Sequence, residues 1–358
     1  MVTNKNITEP LLSICIPTYN RAKILEQTLI SITENPIFIS TNKIEIVISD
    51  NKSTDNTEEI CQKFVNKFSD KILYSKLETS IKADLNFIRA LRLGRGKLLK
   101  LNNDNCAFYS GALEKIIKLV ENYESTKEVL FFANPLPNTK NKLFICSSIN
   151  EFISKVSHRV TWCSSFSIWK DDMATFDNPE RCADLGFIQT DLILRQLANN
   201  KKVIVLNEHL FDVTYAANKG GYNPAIYFGN NYLIKILKPY VDSGLLDKKI
   251  YEREKKAVLK DTTLAYIFDI KKEYRFKTEN WFQYLFPIYK NNLYFYFFYM
   301  QFAMKKILYT IFKPLIEKYN YFLFKAKMKF YTLTKNNEKI SKYQKKLIHQ
   351  NNAIGGTI

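Results

Sequence analysis

The apolar positions of roughly the first 215 residues fall into short runs alternating with helical spacings. Leu11–Ile16 is an apolar run stopped at Pro17, which predicts a buried strand and then a loop. Arg21–Thr33 sets Ile24, Leu25, Leu29 and Ile32 on one face with Thr28, which is the spacing of a helix. Ile44–Ser49 is β-branched and mostly apolar, a second strand. Ser53 and Thr54 suit the cap of a helix whose first turn carries Asp55, Glu58 and Glu59. Lys71–Tyr74 reads as a third strand and Asp84–Leu93 as a helix closed by Gly94. Lys97–Leu101 is a fourth strand that runs straight into Asn102-Asn103-Asp104-Asn105. Strands alternating with helices of this length predict an α/β domain with a mostly parallel central sheet flanked by helices.

Beyond residue 125 the pattern is less regular. Glu128–Ala133 and Thr161–Trp169 read as extended, Asp191–Asn199 as helix and Lys202–Leu206 as strand. From Tyr227 onward the chain reads as mainly helical, so the organisation predicted is a catalytic-type domain over 1–225 and a helical region over 226–358. Three polar clusters, Thr18-Tyr19-Asn20, Asp50-Asn51 and Asn103-Asp104-Asn105, each follow a strand directly. Ligands of open α/β sheets bind outside the carboxyl ends of the strands, so the three clusters are expected to converge on one crevice.

Charge divides the chain at nearly the same place. Of a net +18 over 358 residues, +15 lies from Asn231 to Ile358, where 25 Lys and Arg face 10 Asp and Glu. Six dispersed cysteines with no C-x-x-C pair, and three histidines, argue for reduced buried thiols and against a zinc site. Met1–Pro10 is polar with no apolar core of a signal peptide, and no apolar run is long enough to span a bilayer. There is no Walker A loop, no G-x-G-x-x-G and no G-x-S-x-G elbow, which removes support for those chemistries.

Two segments carry a family likeness. Ser13-Ile14-Cys15-Ile16-Pro17-Thr18-Tyr19-Asn20-Arg21 resembles the opening strand and loop of family 2 glycosyltransferases of the GT-A type. Ile48-Ser49-Asp50-Asn51-Lys52-Ser53 resembles their second signature at a fitting interval. The likeness covers roughly residues 11–215 and implies a GT-A fold that binds a nucleotide sugar, UDP-linked by default. It implies that Pro17, Thr18 and Tyr19 line the base pocket, that Arg21 stands beside the phosphates, and that Asp50, with Asn51, accepts a hydrogen bond from the base. Asp84, Asn86 and Arg89 match the segment that holds base and ribose, with helix capping as the other reading, and Asn103 joins the nucleotide site.

Asn102–Asn105 falls where the family places its metal motif, but with Asn where acid is usual. The resemblance implies a divalent cation, Mn²⁺ or Mg²⁺, on Asp104, with Asn102 or Asn105 nearby, to offset charge on a leaving diphosphate. An inverting transferase also needs a base for the acceptor hydroxyl. The late helix start Gly186–Arg195 matches the family's place for it, which nominates Asp191, with Asp184 as alternative. A carboxylate that merely complements the helix dipole is the competing reading. Trp162 either stacks on sugar or packs in the core, and Lys219-Gly220-Gly221-Tyr222 either closes over the diphosphate or is a plain surface loop.

The basic tail mixes aromatics and lysines over Tyr284–Phe330, which suits an anionic bilayer surface or, alternatively, a bundle with its aromatics inside. Nucleic acid is not expected as a partner, since no recognition motif accompanies the charge. The expected setting is bacterial surface polysaccharide, lipooligosaccharide or capsule assembly, with a glycan or lipid-linked acceptor, on the inner face of the cytoplasmic membrane. A sugar-phosphate nucleotidyltransferase and a non-catalytic scaffold of the same fold are the alternatives.

Overall fold

In the computed structural model, residues 9–137, 139–214, 221–269 and 276–333 are described. The chain opens with β1 (Leu12–Thr18), α1 (Ala22–Thr33), β2 (Ile44–Asp50), α2 (Thr57–Lys67), β3 (Ile72–Lys76), α3 (Ala83–Leu93) and β4 (Leu98–Leu101). Strands β1 to β4 are mutually parallel in the order β3-β2-β1-β4, so each is joined to the next by a helical crossover, as the apolar pattern predicts. Both faces are covered, and β1 and β2 are buried at every position. β1 runs on through Pro17 and Thr18, past the predicted stop. Its β4 neighbour ends opposite Cys15, so the missing N–H of Pro17 has no strand on that side to serve.

After β5 (Cys106–Phe108) and α4 (Ala112–Tyr123) come β6 (Val129–Ala133), β7 (Leu143–Cys146), α5 (Ile149–Val156) and β8 (Ser167–Trp169). β8 joins the main sheet antiparallel to β4. The segment expected to be extended from Thr161 instead makes two 3₁₀ turns, Ser157–Thr161 and Cys163–Ser165, before β8. Their i→i+3 bonds, Trp162 N–H to Arg159 and Phe166 N–H to Cys163, use the backbone groups a strand would have needed. α6 (Ile188–Ala198), β9 (Val203–Asn207) and β10 (Phe211–Val213) complete the α/β part, with β9 between β6 and β7 and with β10 paired to β5.

Helices continue the chain beyond the α/β part. Ala225–Leu237, α7 (Lys248–Val258) and α8 (Trp281–Tyr289) belong to a compact unit that runs to Tyr296. The reason is packing. Tyr232 and Tyr289 are fully buried, Tyr232 donates to Glu254 at 2.9 Å, and Ser157 of the α/β part donates to the same carboxylate at 2.5 Å. A second unit, Phe297–Ile358, holds most of the long helix α9 (Leu293–Leu333).

Candidate active site

Parallel pairing in register brings the carboxyl ends of β1, β2 and β4 to one edge, with Thr18 opposite Asp50 and Asn102 N–H bonded to Cys15 O at 2.9 Å. At that edge the β1–α1 turn reaches the loop after β4. Thr18 Oγ1 donates to Asp104 Oδ2 at 3.0 Å, Arg21 Nη1 to Asp104 Oδ1 at 3.1 Å, and Thr28 Oγ1 to the Asp104 carbonyl at 2.7 Å. Asn20 makes the turn possible. It takes φ 52°, a conformation Asn tolerates, and is fastened by its own N–H to Ser53 Oγ and by Thr54 N–H to its side chain. Burial pushes the Asp104 carboxyl pKa upward, with Arg21 and the Thr18 hydroxyl pulling the other way.

A cleft of about 300 Å³ opens beside this cluster, lined by Pro17, Thr18, Tyr19, Arg21, Asn51, Ala83, Asn86, Phe87, Asn103 and Asp104. Seven of the predicted nucleotide residues lie on it, among them Tyr19, which is half exposed. The amides on its wall brace rather than reach. Asn51 clasps the backbone of Ile81 with two bonds of 2.8 Å, and Asn86 clasps Ser49 with bonds of 2.6 and 2.9 Å. Asp50 differs from expectation. It is fully buried and absent from the cleft wall, one oxygen accepting the Ser53 N–H at 2.8 Å and the other the Tyr74 hydroxyl at 2.7 Å. A carboxylate with both oxygens engaged in this way braces the turn after β2.

The expected metal shell also contracts. Asn102 spends its amide inside its own loop, accepting from Lys100 Nζ and donating to the carbonyls of Asn103 and Cys106. Asn105 donates to Thr214 O at 2.9 Å, which ties β10 down. Lys100 is a signal the sequence reading passed over. Its fully buried ammonium lies against Leu101 O, Ser164 O and the face of Phe211, and burial lowers its pKa to about 8. Among the described residues no three His, Cys, Asp or Glu side chains come together as a metal cage. Asp104 is the acidic donor of the cleft.

Ala83 also lines a second cavity, of 430 Å³, with Lys82, Asp84, Asp184, Gly186, Tyr222 and Tyr227. Ala83, at the start of α3, is thus a wall residue of both cavities. Asp84, expected at the nucleotide, lines the second cavity. It is nearly buried, accepts the Ile188 N–H at 3.4 Å, and burial raises its carboxyl pKa to about 7. Asp184 is exposed and ion-paired with Lys82. Tyr227 donates to Gly186 O at 2.5 Å and stacks on Tyr222 at 4.3 Å. Gly186 sits at φ +82°, and a Cβ there would lie 2.1 Å from the Tyr227 ring, so the close approach needs glycine.

Asp191 is not in either cavity wall. It is buried at the start of α6, bound by the Arg181 guanidinium through both oxygens, with Arg195 at 3.6 Å, and lines a separate cavity of 680 Å³. Arg181 thus engages both oxygens of Asp191, and Arg195 adds a second positive charge. The i,i+4 spacing of Asp191 and Arg195 was the part of this pairing visible in the sequence. Trp162 packs edge-on against Phe211 at 5.5 Å, the core alternative. Tyr222 lines the second cavity, while Lys219 and Gly220 lie outside the described residues.

The described chain is thus an α/β domain with a mostly parallel main sheet and a helical continuation. Residues 13–152 match the model described as glycosyl transferase family 2. A stretch of 86 residues is 42% identical to an abequosyltransferase, RfbV, of Salmonella typhimurium, covering 24% of this chain and 25% of that one. The minor teichoic acid biosynthesis protein GgaB of Bacillus subtilis is 22% identical over 63% of this chain and 26% of its own. The match thus spans about a quarter of each of these curated relatives. Among solved structures, S. aureus TarS 1-349 in complex with UDP-GlcNAc is similar at a TM-score of 0.49 and 15% identity, covering 70% of each chain.

Proposed function

We propose that this protein is an inverting glycosyltransferase that moves a sugar from a nucleoside diphosphate, UDP by preference, to a hydroxyl of a glycan or lipid-linked acceptor. The proposed setting is bacterial surface polysaccharide assembly at the cytoplasmic membrane face, in keeping with the names of the two relatives. One observation carries the chemistry: Asp104, Thr18 and Arg21 meet at the strand ends, beside a cleft that shares Ala83 with a second cavity holding Asp84.

The donor's nucleoside lies along Tyr19, Asn51 and Asn86, with its diphosphate toward Arg21. A divalent cation fits Asp104 in one way. Hard cations bind through one or two carboxylates plus substrate phosphates, and a single carboxylate meets that need when the cation arrives with the diphosphate. A cation seated in advance does not fit, because Arg21 already holds the same carboxylate at 3.1 Å. When bound, the cation supplies charge neutralisation to the leaving diphosphate. Arg21, released from Asp104, adds its own positive charge to the same oxygens.

The acceptor enters the second cavity. We assign the base to Asp84 in place of Asp191, because Asp84 follows Ala83, the wall residue that the two cavities share. Its carboxylate takes the acceptor hydroxyl proton as that oxygen bonds to C1 from the face opposite the diphosphate. The C1–O bond to phosphate breaks, and nucleoside diphosphate leaves. The test is product analysis over UDP-, GDP-, CDP- and dTDP-sugars with Mn²⁺ or Mg²⁺. Nucleoside diphosphate release supports the transferase. Pyrophosphate formed from a sugar phosphate and a nucleoside triphosphate would instead establish the nucleotidyltransferase, and no turnover with a full panel the scaffold.

A further inference from the structure

The long helix α9 leaves an apolar stripe in solvent. Phe297, Met304, Ile307, Ile311, Leu315 and Phe322 recur at steps of three, four or seven, and each is at least 58% exposed. Residues at these steps share one helix face. Leu308, Phe312 and Tyr319 widen that face beyond the narrow seam of a coiled coil. No helix among the described residues is long and apolar enough to cross a membrane.

We propose that this stripe binds the surface of an anionic lipid bilayer, with α9 lying in the plane of the headgroups. Charge selects the occupant. From Phe297 to Ile358 the sequence holds 12 Lys and two Glu. Lys305 borders the apolar face, Lys318 falls within it near its edge, and Lys306 and Lys313 lie on the opposite face, all exposed. Aliphatic lysine stems beside an apolar stripe let the ammonium groups reach lipid phosphates while the stripe enters the acyl boundary. Each lysine near such a surface adds to the attraction. A second copy of the helix is the weaker occupant. Pairing two such helices would set lysine against lysine, with Glu317 the sole acidic residue of α9 to offset seven. The assignment extends the membrane-face placement and is independent of the transfer chemistry.

The test is flotation of the full chain with vesicles of phosphatidylcholine alone or with phosphatidylglycerol, run beside sedimentation of the free protein. Wild type is expected to float with the anionic vesicles at least tenfold more than with neutral ones, and 0.5 M salt should reduce that fraction. Ile307→Glu with Ile311→Glu should abolish flotation, and Lys305→Glu with Lys306→Glu should reduce it severalfold. Nucleoside diphosphate release on a soluble acceptor should be unchanged in both, which shows that the fold survives. Equal flotation with neutral vesicles overturns the anionic assignment. A concentration-dependent dimer that the Ile307 and Ile311 substitutions dissolve, with no flotation, overturns the lipid assignment in favour of a second copy. Loss of turnover in wild type with flotation intact would count against the transferase reading alone.

Discussion

Two buried carboxylates, Asp104 and Asp191, are each ion-paired with arginine, yet their surroundings assign them opposite tasks. Asp191 is held by Arg181 through both oxygens and backed by Arg195, on a helix whose packing fixes it. Asp104 has one arginine and one threonine, on a loop at the carboxyl edge of a parallel sheet, beside an open cleft. A buried pair of this kind is costly to break by removing one partner. A pair that one ligand can open is a place for chemistry, since Arg21 and Asp104 each have a stronger partner waiting in a diphosphate and a cation. Burial alone therefore does not mark a catalytic carboxylate. What distinguishes the two is whether the partner set is complete without a substrate.

The comparison breaks most sharply on turnover. Asp104→Asn should lower kcat by about 1,000-fold, roughly 4 kcal/mol of transition-state stabilisation, with little change in Tm. Steady-state release of nucleoside diphosphate measures it, and a fall of less than tenfold would make Asp104 as structural as Asp191. Asp84→Asn comes next, at about 100-fold, the usual scale of a general base. Wild-type kcat should rise with pH through about 7 as Asp84 loses its proton, and the variant should lack that limb. Stability supplies a second readout. Burial raises the folded pKa of Asp84 above its unfolded value, so the folded state binds the extra proton and wild-type stability falls as pH climbs from about 4 to about 7. Asp84→Asn escapes that loss, so its Tm should exceed wild type at pH 8 and match it near pH 4.

Much of the Asp104 side was legible in the sequence, because it depends on local pattern. Strand periodicity located β1, β2 and β4, and register then had to bring Thr18, Asn51 and Asp104 to one edge. The Asp191 pair was not legible because its partner Arg181 comes from an irregular segment, and no periodicity announces which side chain such a segment turns inward. The surroundings of Asp50 were hidden for a related reason. Its second partner, Tyr74, arrives from the neighbouring strand, a pairing that only the sheet order reveals. Asp84 was seen but placed with the nucleotide, because α3 sets Asn86 toward one cavity and Asp84 toward the other.

Removing a saturated carboxylate should cost stability rather than rate. Asp191→Asn leaves Arg181 and Arg195 without their counter-charge. With the Arg181 side chain 44% exposed, the loss is about 2 kcal/mol, below that of a fully buried pair. Thermal unfolding should show a Tm lower by several degrees, while kcat at 20 °C stays within threefold of wild type. A 100-fold fall in kcat with Tm unchanged would restore Asp191 as the base and remove the distinction drawn between the two pairs.

The smallest effect probes whether the Asp104 pair is one that a ligand opens. If Arg21 and a cation compete for the same carboxylate, Arg21→Met should tighten Mn²⁺ binding in the absence of nucleotide by about fivefold, near 1 kcal/mol. Arg21 is one-third exposed and sits in a turn fastened by Ser53, Thr54 and Asp55, so the substitution leaves the loop in place. The gain is modest because the guanidinium is already partly solvated and Thr18 still donates to Asp104. Electron paramagnetic resonance of free Mn²⁺ reads the affinity without any turnover. The same substitution should weaken nucleoside diphosphate binding, since the positive charge that would follow the phosphates is gone. Tighter cation with weaker nucleotide is the signature of a shared carboxylate. Weaker binding of both would mean that Arg21 holds Asp104 in shape as Arg181 holds Asp191, and the two pairs would then differ only in where the fold has put them.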